Sequence, residues 1–244
     1  MSDLVLALDT SSDAAVALCR VRADKAAEGP VQALGRARSG DQRRHAEALA
    51  PMIQGVLRTA GARPDQVDAV VVGTGPAPFT GLRVGLVTAR AYARARGITA
   101  YGVCSLDALA LAATEHPDSG PEVLVVADAK RREVYYARYR RTEGDVTAVI
   151  GPDVARPADV AEEHADLVAA GAVYGPALLL YPEFFGLGAQ VETAATVTRA
   201  EPVDPVQMVR IATHRRIHGG DLSLAPRYLR RPDVHVSPGR KRAT

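Results

Sequence analysis

The sequence predicts an α/β protein of two duplicated lobes, each a mixed sheet with helices packed on it. Short apolar runs alternate with segments of helical period across residues 4–115, as expected when helices cover a sheet. A second copy of the opening pattern stands at residues 124–139, where an apolar run, an aspartate, a polar turn and another apolar run repeat the order of residues 5–18. The chain has 244 residues, 47% apolar and 24% charged, which is room for one large domain or two lobes with a buried core.

Leu4 to Thr10 is an apolar run of strand length, and Asp9-Thr10-Ser11-Ser12-Asp13 is turn chemistry, because Asp and Ser side chains bond their own backbone. Ala14 to Val21 resumes the strand and closes a hairpin, and Val31 to Arg38 is a third strand. A helix over Gln42 to Ala60 follows from Ala46, Leu49, Ala50, Ile53, Val56, Leu57 and Ala60, which share one stripe. Asp41 is its expected N-cap, Gly61 its stop, and Pro51 an expected kink. Val67 to Thr74 reads as a buried strand. A Gly/Pro loop then leads into a helix from Pro78 to Arg96, with Pro78 at the first helical position and Gly97 ending it. Ile98 to Cys104 is another strand, and Ser105 is the expected cap of a helix running to Glu115.

Residues 116–121 read as a linker, so the lobes are expected at 1–115 and 121–231, with 232–244 a loose basic tail. In the second lobe Leu124 to Ala129 and Val134 to Tyr139 form the repeated hairpin. Helices are expected over Pro157 to Ala170 and Asp204 to Ile217, and short strands near Ala172 to Tyr174 and Gln190 to Glu192.

Formal net charge is +2, carried almost wholly by arginine, and no apolar run approaches the ~20 residues that span a bilayer. Cys19 and Cys104 sit in apolar surroundings and are expected to be buried, reduced thiols, which together with the absence of a signal-peptide pattern points to the cytoplasm.

The segment Gly73 to Gly85 follows a strand and opens a helix. It matches neither a dinucleotide fingerprint, since Pro78 stands where the last glycine belongs, nor a Walker A loop, since Leu82 follows Gly81. It reads either as a tight turn with close packing or as an anion or partner contact. His214 and His218 have zinc-pair spacing but end a helix beside Arg215 and Arg216, where cations favour the dipole, and His45 has no second histidine at ligand distance. No Gly-x-Ser-x-Gly elbow exists for Ser11 or Ser12. No catalytic or metal residue is therefore assigned. Asp9, Thr10, Ser11 and Asp128 are the candidates for contact with an anion or nucleotide. Gly81, Gly85, Ala89 and Ala93 recur every fourth residue and form a small-residue groove on one helix, serving either packing inside the lobe or helix-on-helix contact between subunits.

These residues carry a resemblance. Leu6-Ala-Leu-Asp9-Thr10-Ser11, Arg44-His45-Ala-Glu47-x-Leu49-x-Pro51, Gly75-Pro76-x-x-Phe79-Thr80-Gly81-Leu82-Arg83-Val84-Gly85, Asp128-Ala129-x-Arg131-x-Glu133-Val134-Tyr135 and Pro226-x-Tyr228-Leu229-Arg230 resemble the TsaB (YeaZ) family, well over residues 3–140 and loosely beyond. Ala77 and Pro78 depart from the family's usual Gly-Ser. The resemblance implies an actin-like, Hsp70-like (ASKHA) two-lobed fold. It also implies a scaffold role in N6-threonylcarbamoylation of the adenosine next to the anticodon, in tRNAs that read codons beginning with A. That role is exercised by dimerising with the paralogous transferase TsaD, with the ATPase TsaE as a further partner, tRNA reached through the complex, a homodimer in isolation and no membrane contact. It implies no cofactor of the chain's own, with a nucleotide only at the partner boundary. TsaD holds its metal with His-x-x-x-His, and here Leu49 follows His45 by four residues. The resemblance places the partner interface on His45, Glu47, Phe79, Thr80, Gly81, Arg83, Gly85 and Ala89. The competing reading is an independent ATP-binding or peptidase-like enzyme of the same fold.

Overall fold

A computed structural model describes residues 2–24, 27–41, 44–117, 119–186 and 199–230. The opening apolar runs form a five-stranded sheet in the order β3-β2-β1-β4-β5. β1 (Ser2–Asp9), β2 (Ala15–Asp24) and β3 (Ala27–Arg38) are an antiparallel meander, and β4 (Ala69–Gly73) and β5 (Thr99–Val103) add in parallel beyond β1. β1 is apolar on both faces because both faces are covered. Leu6 and Leu8 point with Val16 and Leu18 toward one layer of helices, while Val5 and Ala7 point with Cys19 and Val21 toward another.

The second copy gives a four-stranded sheet in the order β8-β7-β6-β9, formed by β6 (Glu122–Asp128), β7 (Val134–Arg141), β8 (Val146–Ala155) and β9 (Val173–Tyr174). It repeats four of the first sheet's five strands, with antiparallel β6–β7–β8 and β9 parallel to β6; β5 has no counterpart. This is the duplicated, actin-like architecture with mixed sheets and flanking helices. The strand expected near 190–192 lies outside the described residues. β8 was not foreseen. It is a mostly exposed edge strand, so it carries no apolar alternation to betray it.

α1 (His45–Thr59) and α2 (Phe79–Arg96) cover the outer face of the first sheet. α4 (Pro157–Glu163) and α5 (Ala165–Ala169) lie on the outer side of the second. Between the sheets lie α3 (Ser105–Thr114) and α6 (Pro205–His218), and here the helices are exchanged. α3, from the first half of the chain, packs on β6, β7 and β8. α6, from the second half, packs on all five strands of the first sheet. The expected boundaries 1–115 and 121–231 thus follow the sheets and not these helices. One apolar cluster runs from Val5 and Ala7 through Leu106, Leu109, Met208 and Ile211 to Val125 and Tyr139, joining both lobes in a single core.

Local expectations need four corrections. Pro78 is the N-cap of α2 and not its first helical residue, which is Phe79. Arg44, not Asp41, is the N-cap of α1, with no side-chain cap bond. Ser105 does not cap α3 but is its first residue, its hydroxyl donating to Asp9 instead. Helix 157–170 is two helices, broken at His164 with φ −115°. Gly61 and Gly97, at φ 63° and 66°, end their helices as expected, and α1 runs through Pro51. Both cysteines are buried and unpaired, and burial pushes the Cys19 thiol up to about 12. No described helix is long and apolar enough to cross a membrane.

His164 is buried beside the Tyr136 ring, and neither ring nitrogen has a hydrogen-bond partner among the described residues. Burial holds its pKa below the usual imidazole value. The unfolded chain then binds a proton that the folded chain refuses, so stability is full above an unfolded pKa of ~6.5 and falls below it. Urea melts between pH 7.5 and 5 are expected to show a loss of up to ~1.4 kcal/mol per pH unit in the acid range. His164→Leu flattens that slope; an unchanged slope would refute the assignment.

Candidate functional site

Both copies of the hairpin end on an aspartate, and both aspartates do the same local work. Asp9 pairs with Ala15 and Asp128 with Val134 as the last rung of each hairpin. Asp9 Oδ1 accepts from the Ser11 N–H at 2.9 Å, and Asp128 Oδ1 accepts from the Lys130 N–H at 2.8 Å. The repeat therefore has a physical cause: each carboxylate satisfies the amide two residues on and closes its turn. In the second turn Lys130, Arg131 and Arg132 all have φ between 54° and 61°, a left-handed run that non-glycine residues rarely adopt.

The two turns face each other across a cleft of about 410 Å³. Thr10, Ser11, Ser12 and His45 line it from one side and Asp128 and Lys130 from the other. Its other walls are apolar: Pro76 and Pro78 from the loop before α2, Leu106 and Leu109 from α3, Pro176 and Leu180 from the second lobe. The structure thus brings Thr10, Ser11 and Asp128 together as cleft residues. Asp9 lies behind them, 1% exposed.

Several polar groups here are engaged within the chain. Asp9 Oδ1 also accepts from Ser11 Oγ at 2.6 Å, and Oδ2 accepts from Ser105 Oγ at 2.7 Å. Burial raises the Asp9 carboxyl above its ordinary value, while the bonds from Ser11 and Ser105 and the charge of Arg38 pull it back. Thr10 Oγ1 donates to the Gly81 carbonyl at 2.8 Å. Asp128 Oδ2 pairs with Lys130 Nζ at 2.5 Å. His45 Nε2 lies 2.7 Å from the Ser12 carbonyl oxygen, which only accepts. That nitrogen must therefore carry the proton, and it is not a base toward a serine hydroxyl.

His45, which the resemblance places on the partner interface, lines the cleft. Leu49, four residues on, is in the core at 1% exposure, so α1 presents no second ligand. Among the described residues no three His, Cys, Asp or Glu side chains are grouped to hold a metal. His214 and His218 stack at 4.4 Å between ring centroids.

The remaining interface candidates divide. Gly81, Gly85, Ala89 and Ala93 are all buried, so the small-residue groove faces inward. A methyl group on Gly85 would lie 2.4 Å from Thr10 Oγ1, and one on Gly81 would lie 3.0 Å from the Thr10 carbonyl. The groove lets α2 approach the end of β1, and this corrects the assignment of Gly81, Gly85 and Ala89 to a partner surface. Glu47, Thr80 and Arg83 are exposed and Phe79 is half-buried. The Arg83 guanidinium lies 3.6 Å above the Phe79 ring, and Tyr228 packs against the same ring at 5.0 Å.

Sequence reading missed the groups that fix the cleft walls. Arg38 reaches Asp13 and the Val203 carbonyl, each at 2.5 Å. Arg230 donates to the Ala129 carbonyl at 2.8 Å and pairs with Glu133. The Arg230 bonds tie the C-terminal segment to the second turn. The Pro226-x-Tyr228-Leu229-Arg230 motif marked this segment, but nothing local named its partners.

A family model described as TsaD: tRNA N6-adenosine threonylcarbamoyltransferase matches residues 40–217. The chain is 39% identical over 230 residues to an uncharacterized protein of Mycobacterium tuberculosis, covering 94% of this chain and 93% of that one. It is 32% identical over 118 residues to the Escherichia coli tRNA threonylcarbamoyladenosine biosynthesis protein TsaB, covering 46% of this chain and 51% of the other. Among solved structures it is similar to a Pseudomonas aeruginosa protein described as having similarity to peptidase YEAZ, with a TM-score of 0.69, 26% identity, and coverage of 93% of this chain and 100% of that one.

Proposed function

Since this chain belongs to the TsaB (YeaZ) family, within the group matched by the TsaD family model, we propose that it is a non-catalytic scaffold and activator in tRNA threonylcarbamoyladenosine biosynthesis. In this reading the chain works by pairing with a TsaD-type transferase, which modifies the adenosine next to the anticodon in tRNAs reading codons that begin with A. TsaE and tRNA are reached through that complex, in the cytoplasm, and the chain holds no nucleotide or metal of its own.

The observation that carries the reading is the chemical state of the cleft. Both oxygens of Asp9 are taken by Ser11 and Ser105, His45 Nε2 donates to a backbone carbonyl, and Leu49 fills the core where a second histidine would be needed. A hydrolase needs a base free to accept a proton, and a metal transferase needs at least two imidazoles facing one point. These same facts weigh against an independent peptidase-like enzyme. A kinase-like one fares no better, since the lysine lining the cleft already meets Asp128.

The test is reconstitution of tRNA modification with purified transferase and TsaE, with and without this chain. Omitting the chain is expected to abolish turnover. Asp9→Asn and Ser11→Ala are expected to leave the rate within several-fold of the parent, because neither removes a bond-making group. A fall of about three orders of magnitude, with melting and partner binding unchanged, would make the residue catalytic and overturn the scaffold reading.

A further inference from the structure

The chain after α6 runs back over the first lobe as a strap. The Gly102 N–H, on the edge strand β5, donates to the Leu222 carbonyl at 2.9 Å. A methyl group on Gly102 would collide with the Ser223 carbonyl oxygen, so the strap lies directly on that edge. Leu222 packs on the core between the sheets and Leu224 on the layer of α1 and α2. Arg90 donates to the Leu224 carbonyl at 2.9 Å, and the Arg227 N–H donates to the Thr74 carbonyl at 2.8 Å. Tyr228 then sits on the Phe79 ring, its hydroxyl accepting from Arg83 Nε at 3.3 Å. Two residues on, the strap crosses to the second lobe, where Arg230 donates to the Ala129 carbonyl at 2.8 Å and pairs with Glu133.

Ala129 and Glu133 are the two ends of the left-handed run. Lys130, Arg131 and Arg132 stand between them at φ 61°, 54° and 60°, and all three are exposed. Side chains with a Cβ crowd their own backbone in this region, so three in succession persist only when the surroundings hold them. The first hairpin turn, Ser11 to Asp13, has no residue of positive φ. The same sequence order thus gives a relaxed turn in one copy and a strained turn in the other. Within the second hairpin the Ala129 N–H donates to the Glu133 carbonyl at 3.0 Å, and the Glu133 N–H to the Lys130 carbonyl at 3.1 Å. From outside the hairpin, one guanidinium grips both ends of the run, and a charged fork on two acceptors fixes their separation. The Asp128–Lys130 pair that lines the cleft spans this same turn.

We propose that Arg230 is a latch, which holds the second turn in its left-handed form and so keeps Lys130 on Asp128, and that the strap carries any shift of Tyr228 on Phe79 to the cleft. With the latch released, residues 130–132 return to ordinary backbone conformations. Lys130 then parts from Asp128 and leaves a carboxylate unpaired in the cleft wall. The latch belongs to the free chain and stands or falls apart from the scaffold reading.

Hydrogen exchange read by mass spectrometry on the full chain tests this, each variant being checked first by thermal melting. In Arg230→Ala the amides of residues 129–134 are expected to exchange at least about tenfold faster than in the parent. Those of residues 142–145, in the turn between β7 and β8, should keep their rate. Tyr228→Ala is expected to speed exchange at 129–134 by about threefold or more, because it unseats the strap two residues before the latch. Asparagine enters the left-handed region more readily than arginine, so in an Arg131→Asn/Arg132→Asn background Arg230→Ala should speed exchange less than about threefold. An unchanged rate at 129–134 in Arg230→Ala, or equal acceleration at both turns, would overturn the latch. So would an unchanged rate in Tyr228→Ala, which removes the strap from it, or the full acceleration in the asparagine background, which would show that no strain is held.

Discussion

Gly85→Leu is expected to unfold the first lobe rather than to release a partner. The Cβ direction of Gly85 points at Thr10 Oγ1, 2.4 Å away, and α2 is held there by β1 on one side and α1 on the other. Alanine alone would push the Thr10 hydroxyl off the Gly81 carbonyl, leaving a buried acceptor unpaired at about 1–3 kcal/mol, offset in part by about 1 kcal/mol of helix propensity. Leucine adds three further carbons where no space exists, and overpacking of this kind costs about 3 kcal/mol or more. Urea midpoints should therefore fall in the order parent, Gly85→Ala, Gly85→Leu. Thr10→Ala combined with Gly85→Ala should lose less than the sum of the two single changes, because removing the hydroxyl removes the clash. A Gly85→Leu variant that melts like the parent would show that the groove is not packed internally.

Arg215→Ala is expected to lower stability by about 3–5 kcal/mol, the usual cost of leaving buried carboxylates without their cation. Arg215 on α6 donates to Asp107 of α3 at 2.8 Å and to both oxygens of Asp145, in the turn between β7 and β8, at 2.7 and 3.0 Å. The Tyr139 hydroxyl donates to the other Asp107 oxygen at 2.7 Å. All three charged side chains are at most 13% exposed, so water replaces little of what is lost. Domains have about 5–15 kcal/mol in total, so this single change removes a large part. Arg215→Lys should recover less than half of the loss, because an ammonium cannot serve two carboxylates with a planar fork. The network and the shared core cross from lobe to lobe. Tyrosine fluorescence and far-ultraviolet dichroism should therefore report one common transition for the parent. Two separate transitions, or a loss below 1 kcal/mol, would show that the network does not join the lobes.

The exchange of α3 and α6 between the sheets bears on stability. Here each lobe's inner face is covered by a helix from the other half of the chain, and Arg215 fastens the two helices to the second hairpin. The two helices thereby join the lobes through both a shared core and a shared ion-pair network.

Much of the fold was legible in the sequence because it is written in short range. The hairpin of β1 and β2, its repeat in β6 and β7, and the stripe of α1 are all patterns in which neighbours two or four residues apart share a face. The repeated aspartates were visible too, and their hydrogen bonds to the amide two residues on are local events. Periodicity names the residues that share a face but not what covers that face. Gly81, Gly85, Ala89 and Ala93 were correctly grouped, yet only the packing of α2 against Thr10 decided that they point inward and that Arg83 and Val87 point out. His45 was seen beside charged neighbours, and the turn at Ser12, 33 residues away, took it into the cleft. Arg215 lies 108 residues from Asp107 and 70 from Asp145, and in sequence it read as one more cation at a helix end. Charges so far apart find each other only after two sheets and the helices between them have formed. The sequence by itself therefore determined most of the strands and helices and the duplication, through contacts between near neighbours, but not β8 or the break at His164. The tertiary structure alone decided which faces are inside, which helix serves which sheet and which charges are paired, because those depend on contacts between residues remote in the chain.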